Sequence, residues 1–166
     1  MVGAPLRCHV ALGANLGDLY ATLDAACAAL RELPGARWVA ESARYRSAPI
    51  DSSGPEYLNS VVALEVLDDA PRAPWVLLAA LQAIEQRHGR ERPYRNAPRT
   101  LDLDLLLWGD RVIDDPVLTL PHPRLHLRAF VLRPLLDLAP ELVLPGLGLA
   151  RDHLAAVSDQ AIERLD

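Results

Sequence analysis

Eight residues, Leu101-Asp102-Leu103-Asp104-Leu105-Leu106-Leu107-Trp108, constrain this chain more than any others. Leu101, Leu103, Leu105 and Leu107 alternate with a second set that is also apolar, apart from the two aspartates. A segment apolar on both faces is expected to be a strand covered on both sides, and so a central one. Aspartates at i and i+2 of a strand point to the same face, less than ~7 Å apart. Two like charges there are unfavourable unless cations or arginines neutralise them. Pairing with arginines alone is one reading; ligation of a metal explains the arrangement better.

The preceding stretch supplies arginines in number. Arg87, Arg90, Arg92, Arg95 and Arg99 place five guanidinium groups within thirteen residues, and Gly89, Pro93 and Pro98 keep them off one regular helix face. Guanidinium groups match phosphate oxygens in planar, bidentate fashion. A solvated basic loop is the alternative, but the net charge of −5 makes such a cluster informative. The same acidity argues against general affinity for nucleic acid or anionic membranes. All 17 basic residues are arginine, so a P-loop, which needs its lysine, is excluded.

A chain of 166 residues, 51% hydrophobic and 23% charged, is expected to form one domain (1–166) around a sizeable core. Cys8 and Cys27 sit in apolar strand-like and helix-like stretches, read as small core residues of a reducing compartment. The N-terminus shows no basic stretch followed by an apolar run, and no apolar run is long enough to span a bilayer. A cytoplasmic protein is expected.

In order, Arg7–Leu12 reads as a strand ended by a turn over Gly13–Gly17, with Asp18 capping a helix through Leu19, Leu23, Ala26, Cys27 and Leu30. The glycine turn is a phosphate cradle or, more commonly, simple turn geometry. Residues 38–46 read as a second strand, 47–55 as a loop and 57–66 as a third strand, the two strands forming a hairpin-like pair. Tyr57 and Asn59 share a face of that third strand. They could grip a flat heterocycle, though spacing alone favours a core aromatic and a turn cap. A helix follows, with Trp75, Leu78, Leu81, Ile84 and His88 in period and Leu77 alongside. Glu85 lies at the edge of that stripe, by default an exposed carboxylate. Gly109-Asp110 marks a hairpin turn before Val112-Ile113, then comes an irregular Pro-rich stretch, a helical segment within 125–138, and a final helix near 152–165. Arg124, Arg128 and Arg133 either join a phosphate site or face solvent. His122 and His126 are spaced i, i+4, but Pro123 makes zinc a poor fit.

The order strand, helix, strand, strand, helix, strand implies an α+β, ferredoxin-like sandwich. Its central antiparallel or mixed sheet would carry packed helices and C-terminal additions, with parallel neighbours across each helix.

The motifs resemble those of the 6-hydroxymethyl-7,8-dihydropterin pyrophosphokinases of folate biosynthesis. The resemblance runs from Ala11-Leu12-Gly13-Ala14-Asn15-Leu16-Gly17-Asp18 to Ala139-Pro140-Glu141-Leu142. Pro98-Arg99-Thr100-Leu101-Asp102-Leu103-Asp104 carries it most specifically. Tyr45-Arg46-Ser47-Ala48-Pro49, Tyr57-Leu58-Asn59, Leu120-Pro121-His122-Pro123 and Arg128-Ala129-Phe130 add to it.

The resemblance implies transfer of pyrophosphate from ATP to the pterin hydroxymethyl group, releasing AMP. It implies two Mg2+ ions held by Asp102 and Asp104, with Arg90 and Arg99 stabilising charge on the transferred group. Glu85, Arg92, Arg95, Arg99, Leu105, Thr119, His122 and Arg128 would contact ATP. Tyr57 and Phe130 would sandwich the pterin, with Asn59, Ser47, Ala48 and Ile50 reading its edge. Its small-molecule partners would be these two substrates, without nucleic acid or membrane, and the protein would be a monomer.

The sequence departs from the family pattern at Ala14, Ala48, Asn96 and Leu127, none of them a proposed metal ligand. Two rivals stand beside this reading. An RNA-binding sandwich needs exposed sheet aromatics and a basic face, whereas aromatics are 5% here. An inactive scaffold relative would be expected to lose its metal ligands, and both are kept.

Overall fold

The computed structural model describes residues 5–49, 54–88 and 101–165. Strand β1 (Arg7–Ala14) leads through a turn into helix α1 (Leu19–Arg31). Gly17, at φ +72°, makes that turn, and Asp18 caps the helix by accepting from the Ala21 N–H at 3.1 Å. Leu23, Ala26, Cys27 and Leu30 form the buried stripe of α1, as the period predicts.

Two strands replace the single one expected over 38–46: β2 (Ala36–Glu41) and β3 (Arg44–Ser47), both paired with β4 (Tyr57–Val66). Ser42 breaks them. Its N–H donates to the Val61 carbonyl at 2.8 Å, while its hydroxyl accepts the Val61 N–H at 3.0 Å in place of a backbone carbonyl. A side chain thus completes the ladder where the strand bends, a substitution that apolar alternation does not reveal.

Helix α2 (Ala73–Arg87) buries Leu81 and Ile84 of the expected stripe together with Leu77, while Trp75 and Leu78 pack partly buried against the same core and Glu85 joins the buried face. Strand β5 (Asp102–Trp108) follows. The turn at Gly109 (φ +55°) does not fold the chain back along β5. Instead β6 (Ile113–Asp114) pairs with β7 (Thr119–Leu120) in a small separate sheet. Helix α3 (Ala129–Leu138) and the short pair β8 (Val143–Leu144) and β9 (Gly148–Leu149) come next. The final helix expected near 152–165 is instead two short 3₁₀ turns, Ala150–His153 and Ala155–Val157, followed by strand β10 (Ile162–Leu165) on β3. Pairing with an open sheet edge overrides the weak helical pattern of that segment.

Among the described residues the main sheet has six strands in the order β10-β3-β4-β1-β5, with β2 also on β4. Every pairing in it is antiparallel. This is the expected α+β sandwich, but the parallel neighbours expected across each helix do not occur. β4 separates β1 from β2 and β3, and β1 separates β4 from β5, the split arrangement of ferredoxin-like folds.

β5 is accordingly at the sheet's end rather than its centre. Its apolar character on both faces has another cause, because its outer edge is covered. Glu85 accepts the Leu103 N–H at 2.9 Å, and His122 donates its N–H to the Leu106 carbonyl at 2.9 Å. Helices α1 and α2 pack on one face through Leu23, Leu30, Leu81 and Ile84 against Val10, Leu12 and Leu103. On the other face α3 and the C-terminal elements cover Ala11, Val61 and Leu107. Cys8 and Cys27 are buried, and burial pushes both thiols up to about 12.

Candidate active site

Register, rather than sequence proximity, builds the site. Gly13 on β1 stands between Asn59 on β4 and Asp102 on β5. Two residues along the same face, Ala11 stands between Val61 and Asp104. The two small residues make a low floor, with carboxylates on one side and the carboxamide on the other. Two inter-strand spacings put the Asn59 and Asp102 backbones ~10 Å apart.

Gly13 was expected in a turn, but it lies within β1, and its value is close approach. A Cβ there would sit 3.1 Å from Asn59 Nδ2 and 4.0 Å from Tyr57 Cδ1. Ser47 donates its hydroxyl to Asn59 Oδ1 at 2.6 Å, which fixes the carboxamide and turns Nδ2 toward Gly13.

The opposite wall comes from the entry to α3. Arg128 and Phe130 flank its first residue, the Arg128 guanidinium lying 5.6 Å from the Phe130 ring centroid. Together with Ala48, Pro49 and Arg124 these groups enclose a cavity of about 550 Å³ over the aspartates, Tyr57 and Asn59. Seven expected site residues therefore share one cavity: Ala48, Tyr57, Asn59, Asp102, Asp104, Arg128 and Phe130. Ser47 is buried behind it, bonded to Asn59.

Other expected residues lie elsewhere. Leu105 is buried in the core beneath α1 and α2. Thr119 is exposed on β7, its hydroxyl donating to the Asp115 carbonyl at 3.5 Å. Arg90, Arg92, Arg95, Arg99, Asn96 and Ile50 fall outside the described residues. Glu85 is not the exposed helix carboxylate of the default reading. It is only 4% exposed and holds the backbone of Leu103, the residue between the two aspartates.

His122 stands in the field of Asp104. Burial pushes its pKa below the usual range, and Arg128 and Arg124 push the same way, against Asp104. Its Nδ1 accepts the Arg124 N–H at 3.2 Å, so the neutral ring carries its proton on Nε2, a donor.

Among the described residues no group of three or more His, Cys, Asp or Glu is arranged to hold a metal. Two half-buried carboxylates side by side on β5 are what remains. That donor set fits a hard divalent cation completed by phosphate oxygens and water, and it does not fit structural zinc. Gly13 and Ala11, the floor between the two halves of the site, were missed as site residues. The signal lay in their register against Asn59 and Asp102.

Residues 9–140 match the family described as 7,8-dihydro-6-hydroxymethylpterin-pyrophosphokinase. The chain belongs to this family. It is 47% identical over 160 residues to a 2-amino-4-hydroxy-6-hydroxymethyldihydropteridine pyrophosphokinase of Pseudomonas aeruginosa, covering 96% of each chain. Its identity to the protein of that name from Synechocystis is 42% over 147 residues, covering 87% of this chain and 73% of that one. A crystal structure of an HPPK-DHPS in complex with substrates shares the fold at a TM-score of 0.71 and 12% identity. The match covers 93% of this chain and 43% of that one, so the chain spans less than half of that longer protein. Among the described residues no helix is long and apolar enough to cross a membrane.

Proposed function

We propose that this protein is the pyrophosphokinase of its family, transferring pyrophosphate from ATP to the hydroxymethyl group of 6-hydroxymethyl-7,8-dihydropterin in folate biosynthesis. One observation carries the site assignment: a single cavity of about 550 Å³ has Asp102 and Asp104 of β5 at one end and Tyr57 and Asn59 of β4 at the other, with Phe130 also in its lining. A flat, hydrogen-bonding heterocycle and a phosphate-bound cation suit those two ends respectively.

Asp102 and Asp104 would hold Mg2+, expected as two ions, which supplies charge neutralisation on the triphosphate. The pterin lies between the Tyr57 and Phe130 rings, and Asn59, fixed by Ser47, reads its edge with Nδ2. The backbone around Ala48 and Ile50 completes that recognition. Its hydroxymethyl group then points along the Gly13 and Ala11 floor toward the carboxylates.

The pterin hydroxyl oxygen forms a bond to the β-phosphorus and gives up its proton to water as the bond from that phosphorus to the α,β-bridging oxygen breaks, and AMP leaves. Arg128 and the Nε2–H of His122 face the triphosphate as donors. Arg90 and Arg99 stabilise its charge, and Arg92 and Arg95 hold the nucleotide. Glu85 acts on the nucleotide site chiefly through Leu103, keeping both aspartates aimed. Thr119, exposed on β7 outside the cavity, would meet the nucleotide beyond it, and Leu105, whose side chain is buried in the core, would contribute only backbone atoms. The protein acts on these small molecules as a cytoplasmic monomer.

Mass analysis of the pterin after incubation with Mg2+ and ATP tests the reaction. A pterin gaining two phosphoryl units with one equivalent of AMP is expected. A gain of one unit with ADP, or no gain, would overturn the assignment.

A further inference from the structure

Two consecutive residues near the C-terminus touch both walls of the cavity. Gln160 Oε1 accepts the Ala129 N–H at 2.8 Å, and Gln160 Nε2 donates to the Leu127 carbonyl at 2.9 Å. Those two partners bracket Arg128. On the opposite wall, the Ala161 carbonyl accepts the Ala48 N–H at 3.4 Å, and β10 then runs along β3 from Ile162 against Ser47. Both residues lie beyond the 9–140 stretch that carries the family match.

The need for this contact is visible in α3 itself. A helix start leaves backbone N–H groups without intrahelical partners, and a Ser, Thr, Asp or Asn side chain commonly serves them. Here the N-cap is Arg128, whose side chain makes no capping hydrogen bond. Its guanidinium has no acceptor atom to offer and instead lies over Phe130. Gln160, 31 residues away in sequence, brings the missing acceptor. Its other end holds the carbonyl before Arg128, so both ends of the amide are used and its rotation is fixed.

We propose that Gln160 is a positioning residue. Its amide sets the angle at which Arg128 and Phe130 enter the cavity, and Ala161 ties that wall to the Ala48 wall across the heterocycle pocket. This rests on the reading of the cavity as the pterin site. It predicts an effect on pterin affinity out of proportion to the effect on stability, because the wall moves while the fold stays.

The test titrates 6-hydroxymethyl-7,8-dihydropterin into four variants of the full chain in the presence of a non-hydrolysable ATP analogue and Mg2+, with thermal unfolding of each. Gln160→Met keeps length and packing but loses both hydrogen bonds; pterin affinity is expected to fall about tenfold. Gln160→Glu keeps the acceptor for Ala129 and should recover part of that loss. Val157→Ala opens a cavity in the same C-terminal segment at a buried position. It should lower the melting temperature at least as far as Gln160→Met while leaving affinity within twofold. Phe130→Ala checks the site reading itself and should weaken pterin binding.

Equal losses of affinity in Gln160→Met and Val157→Ala would reduce Gln160 to a structural role and overturn the proposal. So would wild-type affinity in Gln160→Met, or a Gln160→Glu variant no better than Gln160→Met. If Phe130→Ala binds the pterin like wild type, the site reading fails and the proposal falls with it.

Discussion

His9 and Asn59 share the inner face of the sheet with Gly13, yet their polar atoms fare differently. Asn59 is 4% exposed and held by Ser47. His9 is 6% exposed, and its Nδ1 has no hydrogen-bond partner among the described residues. Burial, followed by the nearby charge of Arg7, pushes the His9 pKa down to about 4. In the unfolded chain it titrates near 6.5. Between those values the unfolded state binds the extra proton, so stability is flat above pH 6.5 and is lost as pH falls toward 4. The expected loss between pH 7 and pH 5 is about 2 kcal/mol. Urea unfolding at the two pH values should show that loss in the wild type and a clearly smaller one in His9→Leu. Identical pH dependence in both would contradict the buried, neutral His9.

At the scale of elements, the end of α2 and the start of β5 act as one unit. Glu85 reaches from the helix to the Leu103 N–H, and Leu103 lies between the two aspartates. Glu85→Leu leaves a buried N–H without its acceptor, at a cost of about 1–3 kcal/mol. Turnover should fall more steeply than that stability change implies, because the strand presenting both carboxylates loosens. Chemical denaturation together with kcat measures the two effects, and an unchanged kcat would remove Glu85 from the positioning of β5.

This unit also shows what the sequence could reveal. Asp102 with Asp104, and Tyr57 with Asn59, were legible because i and i+2 on one strand is a local relation. Gly13 between Asn59 and Asp102 was not, because it depends on the register of three strands far apart in sequence. Glu85 was misjudged for the same reason, since a helix period cannot see the edge strand that fills its carboxylate. β10 was hidden because four residues are too few to outweigh a helix-like composition, and only the open side of β3 made them a strand.

For the whole molecule, the two layers have separate duties. The α1 and α2 face is an ordinary apolar core built on Leu23, Leu81 and Ile84. The opposite face gives up part of its apolar packing to a polar cavity, and α3 with the C-terminal elements closes the remainder. The order of elements and the α+β class follow from the alternation of periods along the chain. The edge position of β5 does not, because covering by Glu85 and His122 mimics the pattern of a central strand.

The central claim is that Asp102 and Asp104 hold the cation that lets ATP and the pterin react in one cavity. Pterin-dependent AMP release as a function of Mg2+ concentration, in wild type, Asp102→Asn and Asp104→Asn, tests it most directly. The wild type should release AMP only with pterin and Mg2+ both present. Each variant should keep its fold by circular dichroism and lose about three orders of magnitude or more in kcat, a loss that added Mg2+ does not restore. A folded variant that retains near wild-type turnover at ordinary Mg2+ would contradict the account.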